Sequence, residues 1–241
     1  MIGTVHVSEV SKNRVGEAIR TYLPNVVCVE LDMERFKTLQ AMREGGHFPY
    51  SGGEFARPNL GNLLSLEGIL RWIQQKIGEE FGIMPGIEMA TAIETAKNYH
   101  LDIALVDRPL RLTIERLKRA LPFKEKIRLV GYLGAIALSI FLKPVGSYRL
   151  LGVFSDGRGI DMAALERGEG VDALLGQLRA EFPTIYRVLV GERDVIMASN
   201  ITKLLERYDR VLVVVGLGHI GGMKKLFAQK GVRVEILGVG R

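Results

Sequence analysis

Two histidines occupy short glycine motifs that lie near opposite ends of the sequence. His6 closes "GTVH" at residues 3–6, and His219 closes "GLGH" at residues 216–219. Each motif lies at the carboxyl end of a predicted strand. Because parallel strands of one sheet bring their carboxyl ends to one crevice, we expect the two imidazoles to contribute to a common site.

Charged residues close two further predicted strands. Glu30 and Asp32 close "VVCVELD", and Arg35 follows one helical turn later. Asp107 and Arg108 close "IALVDRP" in the same way. Buried carboxylates need arginine or metal partners, so we expect these side chains at the crevice rather than in the apolar core.

Two predicted helices also carry charges inside apolar stretches. Glu88 begins a helix rich in Ala, Ile and Met, whereas Glu192, Arg193 and Asp194 interrupt another apolar helix. Taken singly, each of these charged residues could instead form a salt bridge or interact with the helix dipole at a helix end. Together with two histidines, such carboxylates form a divalent-cation site that suits Zn, Mn or Co.

The stretch "VVVGLGHIGGM" at residues 213–223 carries glycines at the spacing G-x-G-x-x-G. This spacing is found in dinucleotide-binding folds, but too few residues follow it to complete such a fold, so NAD is not favoured. The alternative is that the glycines allow close helix packing. A helix starting near Ile220 would direct free backbone N–H groups from the Gly221–Gly222 region toward an anion, and we expect Gly218 and Gly221 to contribute to that position.

The composition predicts an ordered intracellular domain. The chain has 241 residues, 47% of them hydrophobic and 25% charged, and a single cysteine in a strand-like run, Cys28. One cysteine forms no internal disulfide, and no signal peptide is visible, so we expect the cytoplasm. The net charge is +6 and includes a basic run from Arg108 to Arg128 without aromatic interleaving, which argues against nucleic acid.

The longest apolar run, residues 129–142, is too short for a membrane-spanning helix, which needs about 20 residues. As a helix it would be apolar on all sides. We therefore expect it in the core, at a homodimer interface or against a membrane surface.

Strands alternate with helices along the chain, which predicts an α/β fold with a mostly parallel central sheet flanked by helices. The predicted strands are "IGTVHVS", "NVVCVELD", "LDIALVDRP", "RVLVVVG" and "VRVEILG". The predicted helices cover "VSKNRVGEAIRTYL", "MERFKTLQAMRE", residues 61–81, 87–99, 111–121, 124–142, 161–180 and 184–208, and "MKKLFAQK". Residues 45–59 are rich in Gly and Pro and read as a long loop.

Six stretches, in order along the chain, resemble the TraB/PrgY/GumN (pheromone shutdown) family, particularly its archaeal members. They are "GTVHVS", "VVCVELDMERF", "GIMPGIEMATAIETA", "IALVDRPLRLTIERL", "FPTIYRVLVGERDVIMA" and "VVVGLGHIGGM". The resemblance implies one three-layer α/β domain over residues 1–241. A helical insertion would occupy about 61–100, and a helical segment about 124–182 matches the family poorly.

The same resemblance implies a superfamily that includes Tiki metalloproteases, erythromycin esterases and haem-binding ChaN proteins. Tiki-like members combine G-x-x-H motifs with a glutamate for Mn- or Co-dependent peptide hydrolysis. Carried over by motif, the metal ligands would be His6, His219 and Glu30, with Glu192 as the second choice of carboxylate. The remaining crevice residues would be Glu88, Arg35, Arg108 and Arg193, with Asp107 and Asp194 beside the substrate.

The leading hypothesis is therefore a metal-dependent hydrolase of peptides. A second carboxylate would act as general base, and an arginine would hold the substrate carboxylate or the oxyanion. The alternatives are a non-catalytic module that sequesters small peptides, a haem-binding protein and, last, a dinucleotide enzyme. Relatives often carry membrane segments beyond the "GLGH" region, so two alternatives stay open: this chain is a short member, or it is part of a longer protein that associates with a membrane surface.

Overall fold

The computed structural model describes residues 1–4, 9–43, 87–142 and 170–237. Its four strands form one all-parallel sheet in the order β1-β4-β2-β3. The strands are β1 (Ile2–Thr4), β2 (Val26–Val29), β3 (Asp102–Leu105) and β4 (Val211–Gly216). The predicted α/β fold with a parallel sheet is thus confirmed.

Helices cover both faces of the sheet because its central strands are apolar on both sides. The helices are α1 (Glu9–Tyr22), α2 (Met33–Arg43), α3 (Ile87–Asn98), α4 (Leu110–Ala120), α5 (Phe123–Leu142), α6 (Val171–Glu181), α7 (Pro183–Tyr186), α8 (Glu192–Leu204) and α9 (Leu217–Gln229). A π-helical segment, Arg187–Gly191, joins α7 to α8.

Alternate residues of β2 belong to two separate apolar cores. Val27 and Val29 pack in one core with α1 and α3, whereas Val26 and Cys28 pack in the other with α8 and α9. This two-residue period follows from the strand geometry, and a strand buried on both faces is typical of parallel sheets. The result is three layers: helices, sheet, helices.

The parallel arrangement collects the beginnings of several helices at one edge of the sheet. The helices α1, α2, α4 and α9 follow β1, β2, β3 and β4, respectively, and therefore start where those strands end. The helix α3 leads into β3, so its first turn lies at that same edge. The residues predicted to do chemistry cluster in sequence at these strand ends and helix starts.

Three boundaries differ from the sequence-based predictions. The stretch "VRVEILG" makes a single bridge to the edge strand, between Leu237 and Ile2, instead of a full strand. The helix α9 starts at Leu217 and not near Ile220, because Gly216 has extended backbone angles and ends the strand directly before it. The long helix predicted over 184–208 is interrupted by the π-helical segment. The predicted helix 61–81 and the loop 45–59 lie outside the described residues.

The first half of α5 presents apolar side chains to solvent. Phe123 is 76% exposed, Ile127 is 57% exposed and Val130 is 61% exposed. Among the helices that the structure describes, none has the length and apolarity needed to cross a membrane. The apolar run 129–142 begins in this segment, and its burial in the core or its contact with a second copy or a membrane surface stays a prediction.

Candidate functional site

Glu30 lies directly beyond β2, on the face of the sheet that α8 and α9 cover. Its position continues the two-residue period of Val26 and Cys28, and its side chain is buried. Oε2 accepts a 2.7 Å hydrogen bond from the backbone N–H of Gly216. Gly216 is the N-cap residue of α9, so the carboxylate occupies the positive end of that helix dipole.

His219 lies in the first turn of α9 and is buried together with Met223 and Phe227 on the same face of the helix. Nδ1 of His219 lies 2.6 Å from Oδ1 of Asp194. Nε2 lies 3.3 Å from Oε1 of Glu30. Both ring nitrogens therefore face carboxylates, and we call His219, Asp194 and Glu30 the histidine centre.

Asp194 reaches this centre because it lies on the buried face of α8. The buried residues of α8 are Asp194, Met197, Ala198 and Ile201, which recur at helical spacing. This periodicity is a sequence signal that could have distinguished Asp194 from its neighbours Glu192 and Arg193, but the prediction did not use it. Sequence reasoning had expected it beside the substrate and missed its pairing with the histidine.

The two carboxylates control the charge of His219. Burial alone would lower the pKa of the imidazole, but the charge of Glu30 and the hydrogen bond with Asp194 raise the pKa to about 9. Without a competing cation, the ring is therefore protonated at neutral pH and forms two ion pairs in the centre.

Arg193 connects the histidine centre to the end of β3. Its Nη2 donates to Oε1 of Glu30 and, at 2.7 Å, to Oδ2 of Asp107. Its Nη1 donates to the carbonyl of Leu189 at 3.1 Å. Glu30 and Asp107 raise the pKa of the guanidinium further, against the effect of burial. Because both terminal nitrogens of the guanidinium donate these bonds, Arg193 holds the carboxylates of Glu30 and Asp107 in position.

Arg35 extends the same network toward solvent. Its Nε donates to Oδ2 of Asp32 at 2.8 Å, and its Nη2 donates to Oδ2 of Asp107 at 2.5 Å. The side chain is 30% exposed. Within the part of the chain that the structure describes, its Nη1 has no hydrogen-bond partner. Of the three arginines predicted at the crevice, Arg35 is thus best placed to meet a substrate.

Arg108 and Glu192 form a separate cluster with Arg116, which we call the Glu192 cluster. Nη1 of Arg108 donates to Glu192 at 3.1 Å, and Arg116 donates to both oxygens of Glu192 at 3.2 Å. Nε of Arg108 donates to the buried hydroxyl of Thr113 at 2.8 Å. The structure therefore does not bring Glu192 to His219; the carboxylate of α8 at the histidine is Asp194.

The π-helical segment supplies backbone acceptors to both clusters. The carbonyl of Val188 accepts a 2.9 Å bond from Nη2 of Arg108, and the carbonyl of Leu189 accepts the bond from Arg193. Wider π-helical turns occur often at functional sites. Here the segment directly precedes Glu192 and Arg193 and anchors the arginine of each cluster.

Asp32 caps two helices at the edge of the site, a role that sequence reasoning missed. Its Oδ1 accepts the backbone N–H groups of Glu34 and Arg35 in the first turn of α2. Its Oδ2 accepts the N–H of Leu110, the first residue of α4. The sequence analysis named Asp32 only as a charge at the end of a strand; an aspartate immediately before a helix start is also a strong N-cap signal, which could have identified the capping role.

The glycines of the fingerprint are not arranged for a dinucleotide. A Cβ added to Gly221 would meet nothing within 4 Å, and one added to Gly218 would make ordinary contact with Leu175. Gly221 is the fifth residue of α9, beyond the free N–H groups of the first turn. The Glu30 carboxylate already occupies the helix start where a pyrophosphate would bind. An anion role for Gly218 stays a prediction.

The other predicted residues are placed as follows. Glu88 is fully buried in the first turn of α3, in the layer opposite α9. Cys28 is buried, and burial raises the pKa of its thiol to about 12, as expected for an inert core residue. His6 lies outside the described residues, two positions beyond the end of β1.

In the histidine centre, Nε2 of His219 and Oε1 of Glu30 are separated by the distance expected for two ligand atoms of one divalent cation. Zinc bonds of about 2.1 Å in tetrahedral geometry separate two ligand atoms by roughly 3.4 Å. Nε2 of His219 and Oε1 of Glu30 are 3.3 Å apart, and Asp194 binds the opposite ring nitrogen, as second-shell carboxylates do. Within residues 1–4, 9–43, 87–142 and 170–237, no group of three or more potential ligand side chains forms a metal cluster.

Comparison with known proteins finds relatives along nearly the whole chain. "Uncharacterized protein MJ1365" of Methanocaldococcus jannaschii is 32% identical over 232 residues, covering 92% of this chain and 51% of that protein. "TraB domain-containing protein" of Homo sapiens is 27% identical over 247 residues, covering 93% of this chain and 61% of that protein. The chain thus spans between half and two thirds of the length of these curated relatives.

The family model described as TraB/PrgY/gumN family matches residues 1–142 and 149–236. This match includes β1 to β4 and the histidine centre. The chain therefore belongs to the TraB/PrgY/gumN family.

Proposed function

We propose that the protein is a metal-dependent hydrolase that acts on peptides. The observation that carries the proposal is the geometry of His219, whose Nδ1 binds Asp194 while Nε2 faces Glu30. Metal-binding histidines usually contact a carboxylate through one ring nitrogen and the cation through the other, and a cation bound here would replace the proton on Nε2.

His219 and Glu30 would hold the cation, with His6 as the third ligand from the end of the neighbouring strand β1. A divalent cation in this position supplies a Lewis acid that lowers the pKa of water and polarises a carbonyl group. Asp194 keeps the imidazole ring in one orientation. The Gly216 N–H, bonded to Oε2, holds the Glu30 carboxylate with its other oxygen toward the ring.

Arg35 would hold the substrate through a carboxylate or a peptide carbonyl group. It is partly exposed, and charged hydrogen bonds from a guanidinium to a carboxylate are among the strongest in proteins. Exposed Arg116 and Arg187 add positive charge beside Glu192. This distribution of cations favours a peptide with a free carboxyl terminus or acidic side chains.

The test is metal analysis of the purified protein combined with cleavage of a peptide library, followed by mass spectrometry. We expect about one Mn, Co or Zn per chain, and cleavage that disappears in His6→Ala and in His219→Ala. The matched control is His100→Ala, since His100 is an exposed histidine beyond the opposite ends of the strands. Absence of bound metal together with absence of cleavage under all three metals would refute the proposal.

A non-catalytic peptide-binding module is the second candidate. It is favoured by the charge balance of the site, where the carboxylates of Glu30, Asp107, Asp194 and Glu192 already have cationic partners. The pairs are Glu30 with Arg193 and His219, Asp107 with Arg35 and Arg193, Asp194 with His219, and Glu192 with Arg108 and Arg116. Peptide binding that persists in chelator and in the double variant His6→Ala/His219→Ala would support this candidate over hydrolysis.

A further inference from the structure

The helix α9 approaches Asp194 so closely at Gly222 that no side chain fits there. A Cβ added to Gly222 would lie 1.9 Å from Oδ2 of Asp194 and 2.9 Å from its Cγ. Both distances are well inside van der Waals contact. Gly222 is not part of the G-x-G-x-x-G spacing, whereas Gly221, which is part of it, has open space at the same point.

The carboxylate of Asp194 is the group that would have to move. The backbone of Asp194 belongs to α8, which is anchored in the core by Met197, Ala198 and Ile201. Its short side chain has one other oxygen, Oδ1, and that atom is bonded to Nδ1 of His219 at 2.6 Å. Rotation of the carboxylate away from Gly222 would therefore change the contact with the histidine.

We propose that Gly222 is a positioning residue of the site: its missing side chain admits the Asp194 carboxylate to Nδ1 of His219. The bond then fixes the ring so that Nε2 faces Glu30. Gly222 follows His219 by one helical turn on α9, so the same short segment carries the imidazole and the space for its partner. That this orientation of His219 serves to bind a cation rests on the proposed function. The role of Gly222 in setting the orientation does not rest on it.

The experiment compares Gly222→Ala with Gly221→Ala, neighbouring substitutions that bring the same gain in helix propensity. The direct readout is the side-chain ¹H–¹⁵N spectrum of the histidines, with His219→Ala to assign the signals. We expect the hydrogen-bonded Nδ1 proton of His219 to be lost or strongly shifted in Gly222→Ala and to remain unchanged in Gly221→Ala. An unchanged His219 signal in Gly222→Ala would overturn the proposal.

A second measurement keeps the test decisive if Gly222→Ala folds poorly. Urea midpoints are compared for Gly222→Ala in the wild-type background and in the Asp194→Ala background. We expect a lower midpoint in the wild-type background and no decrease where the carboxylate is absent. Equal decreases in both backgrounds would mean that Gly222 makes room for something else and would overturn the proposal.

Metal affinity separates this proposal from the proposed function. If wild-type protein binds Mn, Co or Zn in calorimetry, Gly222→Ala should weaken binding by about 10- to 100-fold, the usual effect of losing a second-shell partner. Gly221→Ala should bind like wild type. If wild-type protein binds none of these metals, the hydrolase proposal fails, while the spectra and urea midpoints still decide the role of Gly222.

Discussion

The backbone N–H of Gly216 donates a 2.7 Å hydrogen bond to Oε2 of Glu30, which joins the ends of the neighbouring strands β4 and β2. The start of α9 therefore holds an internal anion, supplied by the protein itself. This arrangement aligns the Glu30 carboxylate by contacts that do not depend on any ligand, and it makes the charge of Glu30 a structural requirement.

Replacement of Glu30 by Gln should destabilise the fold strongly. The amide keeps the shape of the side chain but removes the negative charge between Arg193 and His219. Breaking a buried charge pair costs about 3–5 kcal/mol, measurable by urea denaturation near pH 7. The control Glu115→Gln affects a pair with Arg119 whose side chains are 44% and 81% exposed, and it should cost less than about 1 kcal/mol. A similar small loss in both variants would contradict the prediction.

Arg193→Lys should destabilise the protein although the charge is retained. A lysine lacks the planar fork that binds Leu189, Asp107 and Glu30 at once. Loss of hydrogen bonds to charged partners should lower the free energy of unfolding by at least about 2 kcal/mol. Arg116→Lys, at a side chain that is 55% exposed, should change it by less than about 1 kcal/mol. Thermal unfolding of the two variants and of wild type measures these losses. Equal losses in Arg193→Lys and Arg116→Lys would count against a structural role for the planar guanidinium of Arg193.

Gly3→Ala should disturb the packing of β1 against α9. A Cβ at Gly3 would lie 2.5 Å from Cδ2 of Leu217 and 2.8 Å from Cγ1 of Ile220. Both side chains would have to shift, and overpacking of this kind costs about 1–3 kcal/mol. Gly176→Ala is the control, since a Cβ in that position of α6 would meet nothing within 4 Å. Urea denaturation should show a lower midpoint for Gly3→Ala and no decrease for Gly176→Ala. A midpoint of Gly3→Ala equal to that of wild type would contradict the prediction, because it would mean that Leu217 and Ile220 move aside without cost.

The Glu192 cluster should contribute stability at neutral pH that is lost in acid. Partial burial would raise the pKa of Glu192, but the hydrogen bonds and charges of Arg116 and Arg108 outweigh it and lower the pKa from its ordinary value of 4.5. A depressed pKa in the folded state stabilises the fold above the unfolded pKa, and this contribution disappears as pH falls through the folded value. Glu192→Gln should therefore be less stable than wild type at pH 7, by about 1 kcal/mol, and nearly equal to it well below pH 4.

The measurement is urea denaturation of both proteins across this pH range. The control is Glu181→Gln, whose carboxylate forms a more exposed pair with Arg128. A stability difference between Glu192→Gln and wild type that stays constant down to pH 3 would contradict the assignment.

Strand periodicity and the parallel sheet predict much of the site. The apolar run before Glu30 indicates a strand buried on both faces, and the ends of such strands lie at one edge. Hence Glu30, Asp107 and His219 could be expected at a common crevice, and the structure links them through Arg193. The chemistry of buried carboxylates likewise predicts that arginines pair with them.

The choice among neighbouring charged residues could not be predicted in the same way. Glu192 and Asp194 are two residues apart, so a small change in helical phase decides which of them meets His219. The π-helical segment interrupts the predicted helix 184–208 directly before them, so the helical phase cannot be taken from the preceding residues and has to be taken from Met197, Ala198 and Ile201. The role of Gly222 could not be predicted for a related reason: it depends on the distance to another helix, whereas the sequence indicated the Gly221–Gly222 region only as a source of free backbone N–H groups.

The strand order also has a consequence for the growing polypeptide on the ribosome. In the sheet, β4 lies between β1 and β2, so the N-terminal strand pairs with a partner made about two hundred residues later. Among the strands that the structure describes, only β4 is paired with β1, so β1 cannot join this sheet until Val211–Gly216 have been synthesised. The histidine centre can therefore form only after translation of α9, near the end of the domain, and any activity of the site arises in one late step.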